Sequence, residues 1–274
     1  MPEIISNAIA KVNLTLRIYG RSSNGYHNMQ SIFAFLPGIC DVLYFYTDKE
    51  FSKTSANIAN VSDGKNSIKK AAGILRNNFN FPVPHVVLKK RIPIESGLGG
   101  GSSDAACFVN SVFDIWSFSA EEKFKHINLF KSLGADAYVF LYKYFSNKKL
   151  IYIDGNGIDG VIESVNIPEV ENAYIIVVNN GSRLSTKEVF DNYEKKINKG
   201  DIGFNNSLLQ SALELEPSIR QLLEDIEKTN PIRFGLSGSG TTCFGLFLSK
   251  KSCLTAKNVL SKKYDFARIS KIDS

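Results

Sequence analysis

The 274-residue sequence has few of the residues that build metal centres and disulfide frameworks. It contains three histidines and four cysteines, and no two cysteines form a C-x-x-C pair. A zinc site and a set of structural disulfides are therefore both disfavoured, and the cysteine usage favours a reducing cytoplasm. Residues 1–6 lack the basic region and apolar core of a signal peptide, and no apolar run is long enough to cross a bilayer.

Strong charge of one sign is also missing. The sequence has 33 Lys and Arg against 27 Asp and Glu, which gives a net charge of +6. The basic residues are dispersed in short clusters of the kind that usually lie on solvated faces. This balance suits an anionic small molecule and argues against nucleic-acid binding. With 43% hydrophobic residues, the chain is globular and forms one large or two modest domains.

The most informative motif is a glycine-rich segment between a predicted strand (85–88) and a predicted helix (104–116). Gly97 and residues 99–101, all glycine, are followed by Ser102 and Ser103. Glycine admits positive φ and carries no β-carbon, so backbone N–H groups and a helix N-terminus can approach one anion closely. A linker uses similar residues, but the flanking elements disfavour one. The segment therefore predicts a phosphate site, and hence a nucleotide ligand.

Two common nucleotide-binding patterns are absent. No lysine follows the glycines, as the pattern GxxxxGK[ST] requires, and Ser102 stands where GxGxxG needs its third glycine.

Phosphoryl transfer also needs a charge partner and a group that positions or deprotonates the attacking hydroxyl.

Four polar residues are candidates for these roles. Lys11 and Asn13 share one face of a predicted strand by the period-two rule, although a lysine within a strand usually faces solvent. Asp136 follows Gly134 at the predicted end of a helix, where an ordinary turn residue is the alternative. Asp104 competes with Asp136 for the role of base, but it also suits the first turn of a helix.

Further candidates lie elsewhere in the chain. A second glycine cluster, at 235–240, precedes a predicted strand and could either form a tight turn or close over phosphates. Tyr26 and His27 lie in a predicted polar loop (20–28), where aromatic residues are not buried by default. These two residues and Phe190 could stack on or hydrogen-bond to a base, although aromatic residues more often belong to a core.

Strands and helices alternate irregularly, which predicts an α+β fold rather than a doubly wound parallel sheet. The turn at 154–157 predicts a boundary between a domain at 1–155 and a domain at 156–274. The predicted strands are 8–18, 31–35, 41–46, 85–88, 151–153, 174–178 and 244–248, and the predicted helices are 66–77, 104–116, 121–133, 186–197, 207–228 and 256–264.

Five segments together resemble the GHMP kinases, in the branch that acts on 4-diphosphocytidyl-2-C-methyl-D-erythritol. The resemblance runs nearly end to end. Residues 24–27 (NGYH) are similar to the loop D-G-Y-H, which distinguishes this branch from the homoserine, mevalonate and galactose kinases. The other matching segments are 10–14 (AKVNL), 93–106 (PIESGLGGGSSDAA), 133–136 (LGAD) and 236–240 (LSGSG).

The resemblance implies ATP- and Mg²⁺-dependent phosphorylation of the substrate's 2-hydroxyl, with Asp136 as base and Lys11 as its charge partner. It implies a ribosomal-S5-domain-2-like N-terminal half and a ferredoxin-like C-terminal half, with the active site between them. Substrate would contact Asn13, Tyr26, His27, Phe190, Gly238, Ser239 and Gly240. ATP would contact Asn66, Pro93, Ile94, Glu95, Ser96, Gly97, Leu98, Gly99, Gly100, Gly101, Ser102, Ser103 and Asp104.

Three segments depart from the family pattern. Asn24 stands where Asp is usual, residues 137–138 (AY) replace Val-Pro, and residues 206–208 (NSL) replace Asn-Asp-Leu. None of these changes removes a chemical group that the mechanism needs. We expect no protein metal cage and no nucleic-acid or membrane partner, and a monomer or weak homodimer. A kinase for another small alcohol and a non-catalytic binding protein of the same fold are the alternatives.

Overall fold

Two antiparallel sheets form the framework of the protein. The computed structural model describes residues 3–22, 27–50, 66–197 and 206–272. In the first sheet the strand order is β1-β2-β4-β5, with β3 beside β2; its strands are Ile4–Arg21 (β1), His27–Glu50 (β2), Pro84–Lys89 (β3), Leu150–Gly155 (β4) and Val161–Ser164 (β5). In the second sheet the order is β7-β8-β6-β9; its strands are Tyr174–Asn179 (β6), Arg233–Leu236 (β7), Cys243–Phe247 (β8) and Phe266–Lys271 (β9).

Helices pack on the outer faces of both sheets. Those of the first half are Ser67–Asn78 (α1), Gly100–Ile115 (α2), Ala120–His126 (α3), a 3-10 helix at Ile127–Leu133, and Ala135–Ser146 (α4). Those of the second half are Pro168–Glu171 (α5), Thr186–Ile197 (α6), Leu209–Leu215 (α7), Ser218–Glu227 (α8) and Lys250–Leu260 (α9).

Strand β2 is longer than predicted. The sequence predicted two strands joined by a Pro-Gly turn, but β2 is continuous and Pro37 and Gly38 lie in a bulge opposite Ile9 and Ala10 of β1. Proline cannot donate to the ladder, so a bulge accommodates it without a lost hydrogen bond. The Gly38 amide instead donates to Ser270 Oγ (3.0 Å), which connects the first sheet to β9.

Side-chain capping defines several helix starts. Asn66 caps α1 by accepting from the Ile68 and Lys69 amides, and Ser119 and Glu122 form a capping box at α3. The helix predicted at 121–133 is divided into α3 and the 3-10 helix.

The end of that 3-10 helix corrects a second prediction. Gly134, with φ +107°, ends the 3-10 helix and immediately begins α4. Asp136 therefore lies in the first turn of a helix, not at the end of one.

Three hydrophobic clusters hold the elements together. The first lies between the first sheet and helices α1, α2 and α4, and the second between the second sheet and α7, α8 and α9. The third cluster joins the two sheets face to face, with Val12 and Leu36 from the first sheet against Val177 and Leu246 from the second. Burial of these apolar surfaces fixes the relative positions of the sheets.

The α+β class is confirmed. The division into 1–155 and 156–274 stays a prediction, and β5, which lies beyond residue 155, pairs with β4 in the first sheet. No helix among the described residues is both long and apolar enough to span a membrane.

All four cysteines are free thiols. Cys107 is buried in the first cluster, Cys243 and Cys253 in the second, and Cys40 is partly exposed. Burial raises the pKa of the Cys107 and Cys253 thiols to about 12, so neither is a ready nucleophile.

Candidate active site

A cavity of about 720 Å³ lies where the glycine-rich loop meets the second sheet. Its wall is formed by β1, the loop at 93–104, the start of α1, α6 and the loop between β7 and β8. Both halves of the chain therefore contribute to one site. Its size suits a small-molecule ligand rather than a macromolecular surface.

The glycine-rich loop needs glycine at two positions for different reasons. Gly97 has φ +79°, and a β-carbon there would lie 2.1 Å from the Ser237 carbonyl oxygen. Gly99 is the N-cap of α2 and has φ +71°. It also leaves room for Lys11, because a β-carbon at Gly99 would lie 3.0 Å from Lys11 Cε. The loop therefore delivers the N-terminus of a sixteen-residue helix to the cavity, the arrangement expected for phosphate binding.

The second glycine cluster packs directly on the first. The Ser237 hydroxyl donates to the Gly97 carbonyl (2.9 Å), and the Thr242 amide donates to the Ser96 carbonyl (3.0 Å). Ser239 Oγ lies 3.0 Å from Thr186 Oγ1 on α6. The two clusters form one continuous surface, so the tight-turn interpretation alone does not describe the second cluster.

Lys11 and Asp136 meet at the cavity wall. Lys11 Nζ lies 3.3 Å from Asp136 Oδ2, and it donates to Asn13 Oδ1 at 2.6 Å. Lys11 is only 3% exposed, so it does not face solvent as a lysine within a strand usually does. The Asp136 side chain is 39% exposed and therefore accessible to a ligand. A buried ammonium beside an accessible carboxylate can hold a hydroxyl group and accept its proton.

Asp104 takes part in a different group of charges, which we call the Asp-Lys-Asp cluster (Asp41, Lys90 and Asp104). Lys90 Nζ pairs with Asp41 and lies 2.7 Å from Asp104 Oδ2, while Asp41 Oδ1 accepts from the Ile92 amide at 2.8 Å. Burial raises the pKa of Asp104 above its usual range, with Lys90 opposing the rise. Burial also opposes the charge on Lys90, but the two carboxylates outweigh it and raise the pKa of Lys90.

Asn66 combines a helix cap with a free donor at the cavity. Its Oδ1 accepts from two amides of α1, and its Nδ2 is buried without a hydrogen-bond partner among the described residues. The neighbouring Ser67 hydroxyl donates to the Gly101 carbonyl at 2.6 Å, so α1 is tied to the glycine-rich loop. An unpartnered donor in a ligand cavity is available to a ligand acceptor.

Beside the part of the cavity wall formed by α6, an aromatic pair lies next to two charged groups. The His27 and Phe190 rings are 4.7 Å apart, and His27 Nε2 lies 3.0 Å from Glu194 Oε1. The same carboxylate oxygen accepts from Arg21 Nη2 at 2.6 Å. Burial lowers the pKa of His27; Glu194 opposes this effect and Arg21 reinforces it.

Most of the predicted site residues lie on the cavity wall. They are Lys11, Asn13, Asn66, Asp136, Phe190, Gly238, Ser239 and, from the glycine-rich loop, residues 93–97, 99–102 and 104. Leu98 and Ser103 are instead buried beneath the loop, because their side chains face the protein interior. His27 contacts Phe190, which lines the wall, Gly240 packs against Leu236, and Tyr26 lies outside the described residues.

Several cavity residues were missed by sequence reasoning. Lys90, Arg183 and Thr186 all line the wall. Lys90 sits in a short basic cluster and Arg183 in a polar connection, so neither carries a local signal. Thr186 could have been found from Phe190, because residues four apart share one face of a helix. Among the described residues, no group of three possible metal ligands occurs.

Comparisons with known proteins agree with this geometry. Residues 66–144 match the GHMP kinases N terminal domain, and residues 196–265 match the GHMP kinases C terminal domain. The chain is 30% identical to 4-diphosphocytidyl-2-C-methyl-D-erythritol kinase of Ruthia magnifica subsp. Calyptogena magnifica, over 94% of this chain and 90% of that protein. It is 31% identical to the protein of the same name from Cytophaga hutchinsonii, over 90% and 93% respectively.

A solved structure gives the same result for the fold. A crystal structure of 4-(cytidine 5'-diphospho)-2C-methyl-D-erythritol kinase superposes with a TM-score of 0.76 at 22% identity, covering 99% of this chain and all of that one (100%). The two-part GHMP kinase fold predicted from the motifs is thus confirmed. The chain belongs to the GHMP kinases, within the family of the 4-diphosphocytidyl-2-C-methyl-D-erythritol kinases, and is a small-molecule phosphotransferase.

Proposed function

We propose that the protein transfers the γ-phosphoryl group of ATP to the 2-hydroxyl of 4-diphosphocytidyl-2-C-methyl-D-erythritol. The observation that carries this proposal is the Lys11–Asp136 pair, 3.3 Å apart, beside the helix N-terminus of the glycine-rich loop. In-line transfer requires the hydroxyl, its base and the phosphate in one place. The family to which the chain belongs supplies the identity of the alcohol.

The roles of the chain's own groups follow from this arrangement. The Asp136 carboxylate accepts the proton of the 2-hydroxyl while that oxygen forms its bond to the γ-phosphorus. The bond from the γ-phosphorus to the bridging oxygen breaks, and ADP leaves with the electron pair. Lys11 orients the Asp136 carboxylate and offsets charge near the transferring group, and Asn13, held by Ser31 at 2.8 Å, helps to position the alcohol.

Loop groups would hold the triphosphate. The backbone N–H groups at 99–102, at the start of α2, would meet the phosphates, and the unpartnered Asn66 Nδ2 donor would face the adenine. Mg²⁺ usually binds through substrate phosphates, one or two carboxylates and water, so the cavity oxygens of Ser102 and of Asp104, whose Oδ1 has no hydrogen-bond partner among the described residues, would fit it without a protein cage. When bound, the metal offsets phosphate charge.

The cytidine group would occupy the end of the cavity formed by α6. Phe190 offers a ring face, His27 a hydrogen-bonding edge, and Tyr26 is expected on the other side of the base. Gly238, Ser239 and Arg183 also line the cavity, and Arg183 would supply a cation for the diphosphate. Free thiols at all four cysteines suit a reducing cytoplasm, and we expect a monomer or weak homodimer there.

A coupled ADP-release assay tests this function. The cytidylated methylerythritol should be phosphorylated, and homoserine, mevalonate and the erythritol without its cytidine diphosphate should not. Excess EDTA should abolish the reaction. Comparable turnover of an alcohol without the cytidine diphosphate would replace the proposed substrate, and absence of turnover with every alcohol would favour a binding protein.

A further inference from the structure

We infer that Glu194 is a positioning residue that fixes the hydrogen-bonding state of His27 and so selects an amino-bearing pyrimidine at the α6 end of the cavity. This inference rests on the proposed function for the nature of the ligand. The contacts that carry it lie among Arg21, His27, Phe190 and Glu194, which connect the end of β1, the start of β2 and one face of α6.

Helix α6 presents three different groups on one face. Thr186, Phe190 and Glu194 are spaced four apart, so their side chains follow each other along the helix. Thr186 and Phe190 line the cavity, and Glu194 lies one turn beyond, beside the ring that stacks on Phe190. The helix therefore sets both the ring face and the carboxylate that flank His27.

The carboxylate determines which imidazole nitrogen carries the proton. Glu194 Oε1 is 3.0 Å from His27 Nε2 and can only accept when ionised, so Nε2 bears the hydrogen. In a neutral ring, Nδ1 is then a hydrogen-bond acceptor.

Burial keeps the ring neutral, and Arg21 supports it. Removal of the ring from water lowers the pKa of His27, and this effect is larger than those of the neighbouring charges. Glu194 alone favours imidazolium, but Arg21 Nη2 binds the same carboxylate oxygen at 2.6 Å and offsets its charge. Among the described residues, Arg21 and Glu194 are the charged groups that act on this ring. Glu194 thus sets the tautomer and does not protonate the ring.

An acceptor at Nδ1 discriminates between pyrimidines. Cytosine presents an amino donor at its 4-position, whereas a uracil-type base presents a carbonyl acceptor there. An Nδ1 acceptor that faces this position can accept a hydrogen bond from the amino group of cytosine. In uracil it would meet a carbonyl oxygen, which is also an acceptor, and no hydrogen bond could form. Aromatic stacking on Phe190 cannot supply this selectivity, because every base has a π-face.

The experiment combines a spectroscopic measurement with a binding measurement. Long-range ¹H–¹⁵N correlation spectra distinguish the two tautomers, and the chain has three histidines, which simplifies assignment. CDP and UDP serve as binding probes, and their dissociation constants are measured by calorimetry for the wild type, Glu194→Gln and Glu188→Gln. Glu188 is an exposed carboxylate on the same helix and provides a matched control.

We expect His27 in the wild type to carry its proton on Nε2. Glu194→Gln should populate the Nδ1–H tautomer, because the glutamine amide can donate to Nε2. It should also reduce the preference for CDP over UDP by about tenfold, which corresponds roughly to the loss of one hydrogen bond. Glu188→Gln should leave both readouts unchanged. An unchanged tautomer or an unchanged CDP/UDP ratio in Glu194→Gln would overturn the inference.

These readouts are independent of catalysis. CDP selectivity that depends on Glu194, in a protein without kinase activity, would reject the proposed reaction and retain the inference. Kinase activity with the cytidylated alcohol but no effect of Glu194→Gln would retain the reaction and reject the inference.

Discussion

At the scale of single residues, the clearest prediction concerns Asp136. Asp136→Asn should lower kcat by roughly 10²-fold or more, the usual size of a general-base contribution, because the amide cannot accept the hydroxyl proton. The KM for ATP should change little, since Asp136 faces the acceptor alcohol. Steady-state kinetics with Asp159→Asn, a change at an exposed carboxylate paired with Lys131, provide the control.

Near-normal turnover of Asp136→Asn would assign the base to another group. Asp104 also lies on the cavity wall, but it is 3% exposed and bound to Lys90. It is therefore poorly placed to accept a proton from an alcohol, and Asp104→Asn should act on ATP binding instead.

Phe190 provides a second expectation at this scale. Phe190→Ala should raise the KM for the cytidylated substrate by about tenfold or more, since stacking on a base contributes roughly 1–3 kcal/mol. ATP binding should be nearly unchanged, because ATP is assigned to the glycine-rich loop and Asn66 rather than to α6. Phe81→Ala removes a half-exposed ring beside Trp116 and is the control. Weaker ATP binding with an unaffected substrate KM would show that the two ends have been assigned the wrong way round.

Among the structural elements, the two glycine loops depend on each other. Gly97→Ala should weaken ATP binding and lower stability, because a β-carbon would lie 2.1 Å from the Ser237 carbonyl and φ is +79°. Gly73→Ala in α1 should instead stabilise the protein by about 0.5–1 kcal/mol, since nothing lies within 4 Å of its β-carbon position. Urea unfolding and ATP titration measure the free energy of unfolding and the ATP affinity of both variants. Equal values for Gly97→Ala and Gly73→Ala would exclude close packing between the two glycine loops.

The Asp-Lys-Asp cluster connects β2, the residue after β3 and α2 beside the cavity. Lys90→Met should destabilise the fold by about 3–5 kcal/mol, because it leaves Asp41 and Asp104 buried without a cation. The double variant Lys90→Met with Asp104→Asn should recover part of this loss in urea unfolding. A Lys90→Met protein as stable as wild type would mean that the carboxylates share a proton and do not need the lysine.

How far the sequence predicted these elements depended on local signals. Helix α1 was predicted because Ile68, Ala71, Ala72 and Leu75 recur on one face. Helix α4 was missed because its residues are apolar on nearly all sides and most are buried, so no 3.6-residue period is visible. Strands β7 and β5 have four residues each and depend on their sheet partners.

The residues of the site likewise divide into those that local geometry predicts and those whose partners are distant in sequence. Lys11 and Asn13 were predicted to share a face because the period of a strand is fixed by local geometry. The partners of Lys90 and His27 could not be predicted, because these contacts join residues that are distant in sequence: Lys90 meets Asp41, and His27 meets Glu194.

At the scale of the whole molecule, β1 is shared by the hydrophobic clusters. Ala8 packs in the first cluster, Val12 in the inter-sheet cluster, and Leu16 and Ile18 in the second. Fragments 1–155 and 156–274 should therefore fail to fold separately, because each would expose an apolar face that the other covers. Circular dichroism and near-ultraviolet spectra of each fragment measure this. A cooperative thermal transition in either fragment alone would identify an independent domain.

The positions of the four cysteines have a practical consequence for studying motion. A thiol-alkylating reagent modifies only sulfur atoms that reach solvent, so Cys40 should react first and leave the folded state largely intact. Cys107 in the first half, and Cys243 with Cys253 in the second, react only when their surroundings open. Mass spectrometry of the alkylated peptides over time would give separate opening rates for the two halves, and a nucleotide that bridges both should slow them together.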